Sequence, residues 1–311
     1  MGTMHAVRGH RRGGPEQLVY EEASRPVAGK GELLVRVRAA SITAAELSWP
    51  ATWTDSFDET GSPRVPVVPS KEFSGVVDAV GESVTGFDTG DEVYGLIPFL
   101  RDGAAAEFTV VPADVVAAKP AGLDHEHAAA LPLAGLTAWQ GLVEHGGLTA
   151  GQRVLVHGGA GGVGSIAVQV AAALGAEVIA TSNGRAAEFV RELGARRVID
   201  YSTQRFEDEV ADVDLVFDTV GGDTLSRSWK VLRPGGTLVS VASPPGERDG
   251  FKGVFFIVEP DREGLDELSG LVSRGLLDPR LDRVVPLRDT ADAYRALEQG
   301  RRRGKIVIKV S

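Results

Sequence analysis

The run "LVHGGAGGVGSIAVQVAAALG", Leu155–Gly175, restricts what this chain can fold into more than any other stretch. A β-branched segment ends at His157, four glycines crowd into Gly158–Gly162, and Gly164 leads into a run of small and aliphatic residues. Gly159-x-Gly161-x-x-Gly164 between a strand and a helix is the dinucleotide fingerprint. Gly159 allows the tight turn, Gly161 lets backbone approach a pyrophosphate, and Gly164 lets helix and strand pack closely. Ala160, Gly162 and Val163 complete the loop, and the N–H groups that open the helix face the phosphate charge. A glycine turn used only for packing does not require the second strand, "AEVIATS", that follows. The loop is expected to hold a dinucleotide.

The end of that second strand selects the cofactor. An NAD site places a carboxylate there to accept from the ribose 2′-hydroxyl. Here the tip is "TSNGR", Thr181 to Arg185, with no carboxylate until Glu188. Ser182, Asn183 and Arg185 offer a hydroxyl, an amide and a planar guanidinium fork, which suit a 2′-phosphate. NADPH is the expected cofactor.

The rest of the chain frames this loop. Its 311 residues, 43% of them apolar, suffice for two domains. The first third is β-rich, with "ELLVRVRAAS", "FSGVVDAVG", "GDEVYGLI" and "AEFTVVP" as short β-branched runs between turn residues. Texture changes at Asp124, a suitable N-cap, and from Arg153 strands alternate with helices as in a doubly wound parallel sheet. The expected boundaries are a β-rich domain over 1–120 with 285–311, and a Rossmann domain over 121–284. The tail "AYRALEQGRRRGKIVIKV" reads as ending in one more strand, which could return to the β-rich part.

Charge and composition remove several function classes. A net charge of −10 argues against nucleic-acid binding, with "RRRGK" near the end as the one basic cluster. The absence of cysteine excludes disulfides, thiolate metal sites and cysteine nucleophiles. Gln169 and Glu177 interrupt the longest apolar stretch, so no membrane span is expected, and the cytoplasm is the expected compartment.

"LPLAGLTAWQGL", "GQRVLVHGGAGGVGSIAVQVA", "LGARRVIDY", "FDTVGG" and "LRPGGTLVSV", with "GDEVYG" upstream, strongly resemble the medium-chain dehydrogenase/reductase superfamily. The branch most similar is the zinc-independent, NADPH-dependent quinone oxidoreductases, and the resemblance covers nearly the whole chain. It implies a GroES-like catalytic domain with a Rossmann domain inserted before the final segment. By that resemblance Thr137 lies by the nicotinamide and Tyr201 flanks the adenosine 2′-phosphate. Val241 and the backbone of Phe255 and Phe256 would hold the nicotinamide, and Lys305 would lie near the phosphates. It also implies a homodimer, with the apolar strand near Gly253–Pro260 pairing across a two-fold axis.

The zinc-dependent members of that superfamily use a Cys after the "VRVRAAS" strand and a His in a Gly-His-Glu motif. Thr43 and Lys71 stand at those positions here, and an ammonium is not a zinc ligand. No metal is expected. His125 and His127 form a His-x-His pair that reads as the start of a surface helix. An enone or quinone needs only hydrogen bonds to its oxygen, and Thr43 and Lys71 are the candidate catalytic donors. Lys71 is alternatively a structural partner of Glu46 or Glu72. Trp49 and Trp53 offer a flat apolar wall for a ring substrate, or else cap the β-domain core. Protonation is left to water, because the loop "SITAAELSW" lacks the Asn and Tyr of some relatives.

Two classes of function follow. One is NADPH-dependent, metal-independent reduction of a quinone or enone by hydride transfer, in detoxification or in tailoring of a polyketide-like ring. The other is an NADPH-binding sensor or structural protein on the same fold without significant turnover.

Overall fold

Period-two alternation and continuous apolar runs build two different sheets in this chain. The computed structural model describes residues 2–300 and 303–311; Met1 and the arginines 301 and 302 of the "RRRGK" run lie outside the described residues. Two compact units result. The first comprises Met1–Leu133, Pro260–Ser269 and Pro279–Ser311; the second comprises Ala134–Glu259 and Gly270–Asp278. The first unit thus includes 121–133, 260–269 and 279–284, which the sequence places with the Rossmann segment.

In the first unit, β1 (Thr3–Gly9) and β2 (Leu18–Ser24) form an antiparallel pair. The larger sheet is organised on β3 (Glu32–Ile42), which pairs antiparallel with β4 (Glu72–Val80) and β6 (Phe108–Pro112). β5 (Glu92–Leu96) and β7 (Val116–Ala118) extend it beyond β4. Alternation is clear at Val35 and Val37, both in the core, while Arg36 between them reaches Asp78 at 2.6 Å. The helix His125–Ala129 begins where Asp124 accepts from the His127 N–H at 2.8 Å. Ala129 and Ala130 then pack with Ala39 and Val307, which holds this helix to the first unit's sheet.

In the second unit, β8 (Arg153–His157), β9 (Glu177–Ser182), β10 (Arg197–Asp200), β11 (Val213–Asp218), β12 (Leu232–Ser240) and β13 (Lys252–Phe255) form one parallel sheet. Its order is β10-β9-β8-β11-β12-β13. Strands buried on both faces need continuous apolar runs, as in "VLVH" of β8 and "LVFD" of β11. Strand order reverses between β8 and β11, where ligands of doubly wound sheets bind.

The chain then returns to the first unit with β14 (Leu281–Pro286) and β15 (Lys305–Lys309). β15 lies antiparallel along Ala39–Ile42 of β3. Among the described residues no helix is long and apolar enough to cross a membrane.

Candidate functional site

The glycine loop joins β8 to the helix Gly162–Ala173. The left-handed residue is Gly158, at φ +77°, not Gly159 as expected from the fingerprint. Gly159 is required for a different reason: a Cβ there would lie 2.9 Å from the Ala180 methyl. At Gly164 a Cβ would lie 2.1 Å from the Gly158 carbonyl oxygen, so helix and turn meet at a distance only glycine permits. The Gly161 N–H is used by the turn, donating to Gly158 O at 2.9 Å, and Ser165 N–H starts the helical ladder on Gly161 O. The N–H groups of Gly162, Val163 and Gly164 have no carbonyl behind them, the arrangement that receives a phosphate. A dinucleotide pyrophosphate fits this cradle.

A buried hydrogen-bond chain supports the turn. Ser228 Oγ–H donates to Thr224 O at 2.7 Å, so His157 must carry its proton on Nε2 to donate to Ser228 Oγ at 3.0 Å. His157 Nδ1 then accepts from Thr181 Oγ1–H at 3.1 Å, and Thr181 Oγ1 accepts from the Gly158 N–H at 3.2 Å. Burial, with the Arg227 charge adding to it, pushes the imidazole down to about 3, so it is neutral. Sequence reading missed this role, since one histidine ending a strand carries no signal of it. The "FDTVGG" run is explained similarly: Asp218 accepts from the N–H groups of Val220 and Gly221, and Gly221 and Gly222 both have positive φ.

β9 and β10 run side by side and bring Ser182, Asn183, Arg185 and Tyr201 to one end of the sheet. Asn183 Oδ1 caps the turn by accepting from Ala186 N–H at 3.1 Å, and Ser182 Oγ donates to Asn183 O. Arg185 is exposed, and Tyr201 is 61% exposed with its N–H on Ser182 O. One carboxylate was missed here. Asp200, one strand over, lies against Gly184 and is held below the usual range by the Ser202 hydroxyl and N–H.

Of the expected nicotinamide contacts, Thr137 is buried in the helix Pro132–Trp139. Val241 follows β12, its N–H on Asp218 O at 3.1 Å. Phe255 ends β13 and is 40% exposed, whereas Phe256 is buried against the His145 ring at 4.5 Å.

The first unit holds a separate polar cluster. Thr43 follows β3 and Lys71 precedes β4, so adjacent strands bring them together with β15. Lys305, expected near the phosphates, is buried in this cluster. Its Nζ lies 2.5 Å from Glu72 Oε1 and donates to Thr43 Oγ1 and Ile42 O, each at 3.2 Å. Lys71 is 1% exposed and donates to the Arg101 carbonyl, and among the described residues no carboxylate lies within ion-pair distance of it. It therefore pairs with neither Glu46 nor Glu72. Burial pushes Lys71 down to about 8, opposed by the Glu46 charge and assisted by Arg64. Glu46 is wholly buried and pushed up by that burial, although Ser70 N–H (2.6 Å) and Tyr294 O–H (2.7 Å) bind its oxygens. Ala45 and Ser70, flanking Glu46 and Lys71, have φ of 63° and 73°; such strain in non-glycine residues gathers at functional sites.

Trp53 is corrected to a core residue. It is 1% exposed, its indole N–H donates to Leu47 O at 2.8 Å, and its ring lies against Gly9. A substrate cannot reach it. Trp49 is half-buried and packs edge-on to Phe99 at 5.6 Å, with Phe57 on the same ring. The aromatic face is Trp49, Phe99 and Phe57, the last two too distant in sequence from Trp49 to be read with it.

A parallel sheet in this strand order, with its glycine cradle, and a separate antiparallel β-unit define a dinucleotide-dependent oxidoreductase. The comparisons agree. An alcohol dehydrogenase GroES-like domain model matches residues 29–121, and a zinc-binding dehydrogenase model matches residues 193–308. A probable zinc-binding oxidoreductase, mitochondrial, of Arthroderma benhamiae is 34% identical over 92% of this chain and 90% of its own length. A 2-methylene-furan-3-one reductase of Solanum lycopersicum is 36% identical over 91% of this chain and 73% of its own. The solved quinone oxidoreductase of Coxiella burnetii superposes with a TM-score of 0.90 at 30% identity, covering 100% of both chains. The chain belongs to the medium-chain dehydrogenase/reductase superfamily.

A catalytic zinc does not fit the residues present. Thr43 is bonded to Lys305, Lys71 offers an ammonium, and the Glu72 carboxylate is committed to Lys305. Among the described residues no three His, Asp or Glu lie close enough to share one ion.

Proposed function

We propose that the protein is an NADPH-dependent reductase of quinones or α,β-unsaturated carbonyls that works without a catalytic metal. The observation that carries this reading is the Thr43–Lys305–Glu72 cluster, which sets an ammonium on Thr43, a residue that by sequence resemblance replaces a zinc ligand of the zinc-dependent members. Such donors suffice when charge delocalises onto the acceptor's oxygen, as in an enone or quinone, and serve an unactivated ketone poorly.

Bound NADPH supplies the hydride. The N–H groups of Gly162–Gly164 receive its pyrophosphate, and Ser182, Asn183, Arg185 and Tyr201 surround its 2′-phosphate. Thr137, Val241, Phe255 and Phe256 hold the nicotinamide. In the first unit, Thr43 Oγ1 accepts from the Lys305 ammonium, which polarises the hydroxyl and leaves its proton to donate to the acceptor's oxygen. Lys71, buried with its Nζ on the Arg101 carbonyl, adds positive charge to the first unit's interior, and Trp49 with Phe99 and Phe57 presents an aromatic face to a ring. Water completes the protonation.

The test is loss of NADPH absorbance with a panel of quinones, enones and saturated ketones. Turnover of the first two alone is expected. Tight NADPH binding with no oxidation by any acceptor would instead assign a sensor. We further propose a homodimer through the exposed edge strand β13, to be read by light scattering, and residence in the cytoplasm, to be read by fractionation against a mitochondrial marker.

A further inference from the structure

The helix that carries Thr137 does not end as an α-helix. Pro132–Trp139 passes directly into a π-helical turn, Gln140–His145. Such turns are rare and occur mostly at functional sites. Within this turn Gly141 lies against Phe217, where a Cβ would come within 2.3 Å of the ring, and the Gln140 side chain is 5% exposed.

Gln140 then makes two bonds to a single residue beyond the end of β13. Its Nε2 donates to Glu259 O at 2.9 Å, and Glu259 N–H donates to its Oε1 at 3.0 Å. The side-chain amide so occupies both backbone groups of Glu259, as a neighbouring strand would. A buried amide bonded at both ends tolerates one placement, because any shift leaves a donor or acceptor unsatisfied. The residues fixed by this clamp are Thr137, one helical turn before Gln140, and Phe255 and Phe256, a few residues before Glu259.

We propose that Gln140 is a positioning residue for hydride transfer, its amide setting the spacing between the Thr137 helix and the Phe255–Phe256 segment, and with it the placement of the nicotinamide ring. This rests on the reading that those residues hold the nicotinamide. Loosening the clamp leaves the pyrophosphate cradle and the 2′-phosphate end untouched, so binding and chemistry should separate. A misplacement on the order of 1 Å costs roughly a hundredfold in rate.

The experiment compares Gln140→Leu, which removes both bonds, with Gln140→Glu, which keeps the acceptor and removes the donor. NADPH dissociation constant, kcat, and the isotope effect from NADPH deuterated at the transferred position are measured for each, with Thr137→Val alongside. Support is a fall in kcat of about tenfold to a hundredfold with the dissociation constant within about threefold, and a larger isotope effect. If Gln140→Leu does not fold, the same split in Gln140→Glu decides. A kcat within twofold of wild type, or binding and turnover falling together, overturns the proposal. An active-site effect of Thr137→Val beside inert Gln140 variants overturns the clamp alone. An inert Thr137→Val overturns the underlying reading and the clamp with it.

Discussion

Lys305 and Glu72 lie far apart in the sequence and meet at 2.5 Å, with side chains 5% and 0% exposed. Strand pairing causes the meeting, because β15 and β4 both lie on β3. Removing one member of a buried pair strands the other charge, at a cost of about 3–5 kcal/mol. Lys305→Met should therefore lower the melting temperature sharply and, through Thr43, lower kcat as well. Lys305→Met with Glu72→Gln should recover much of the stability but not the rate. A single variant as stable as wild type would show that the pair carries no such strain.

Lys71 gives a pH signature. Its ammonium is pushed down to about 8 from an ordinary 10.5. Between those values the unfolded chain binds a proton that the folded chain does not, so wild-type stability rises with pH there relative to Lys71→Met. If the ammonium assists reduction, kcat falls as pH rises through about 8. Lys71→Met should lower kcat by roughly tenfold to a hundredfold and remove that fall, with NADPH affinity unchanged. A profile that keeps its break near 8 in Lys71→Met assigns the titration to another group.

Gly164→Ala puts a methyl against the Gly158 carbonyl, which is backbone and cannot rotate away. Overpacking of this kind costs about 1–3 kcal/mol and moves the helix start from the turn. NADPH affinity should drop at least tenfold, a loss that titration by fluorescence detects. Unchanged affinity would mean that the pyrophosphate does not rest on this helix.

NADPH should bind at least tenfold tighter than NADH, and Arg185→Ala should erase most of that preference while leaving NADH binding alone. Asp200 bears on this test because its carboxylate lies at the same end of the sheet. It is occupied by Ser202, with the Gly184 backbone beside it, so it should not substitute for the missing acid of an NAD site. Equal dissociation constants for the two nucleotides would contradict this.

Prolonged treatment with EDTA should leave quinone or enone reduction intact, and metal analysis should find no stoichiometric zinc. One zinc per chain, lost together with activity, would refute the metal-free reading.

The sequence made the parallel sheet legible because its strands are continuous apolar runs between turn signals, and each expected strand from "RVLVHG" to "GGTLVSVAS" is present. The glycine loop was legible for the same reason, although the left-handed turn fell one residue early, at Gly158. The β1–β2 pair was not read, since "VRGHRRGG" breaks the alternation that marks strands. In the first unit's cluster, position in sequence identified Thr43 and Lys71 but could not tell their partners. Glu46, Tyr294 and Lys305 are brought together by strand pairing and helix packing across more than two hundred residues. Trp53 shows the same limit, because two tryptophans four residues apart look alike until one is seen to fill the core.

β3 has one side shared between two partners: β6 covers Glu32–Arg36, and β15 covers Ala39–Ile42. During synthesis the first of these partners, β6, is made well before the second, β15, which follows it by almost two hundred residues. Until then Ala39–Ile42 presents an apolar strand edge with open backbone groups, a template for wrong pairing. Residues 153–255 can meanwhile complete their own sheet, since all six of its strands are contiguous in the chain. Nascent chains halted before residue 305 should therefore show a protected second unit and a protease-sensitive, chaperone-dependent first unit. The strand Lys305–Lys309 acts as a latch, and the first unit's sheet stays open at Ala39–Ile42 until those residues have been made.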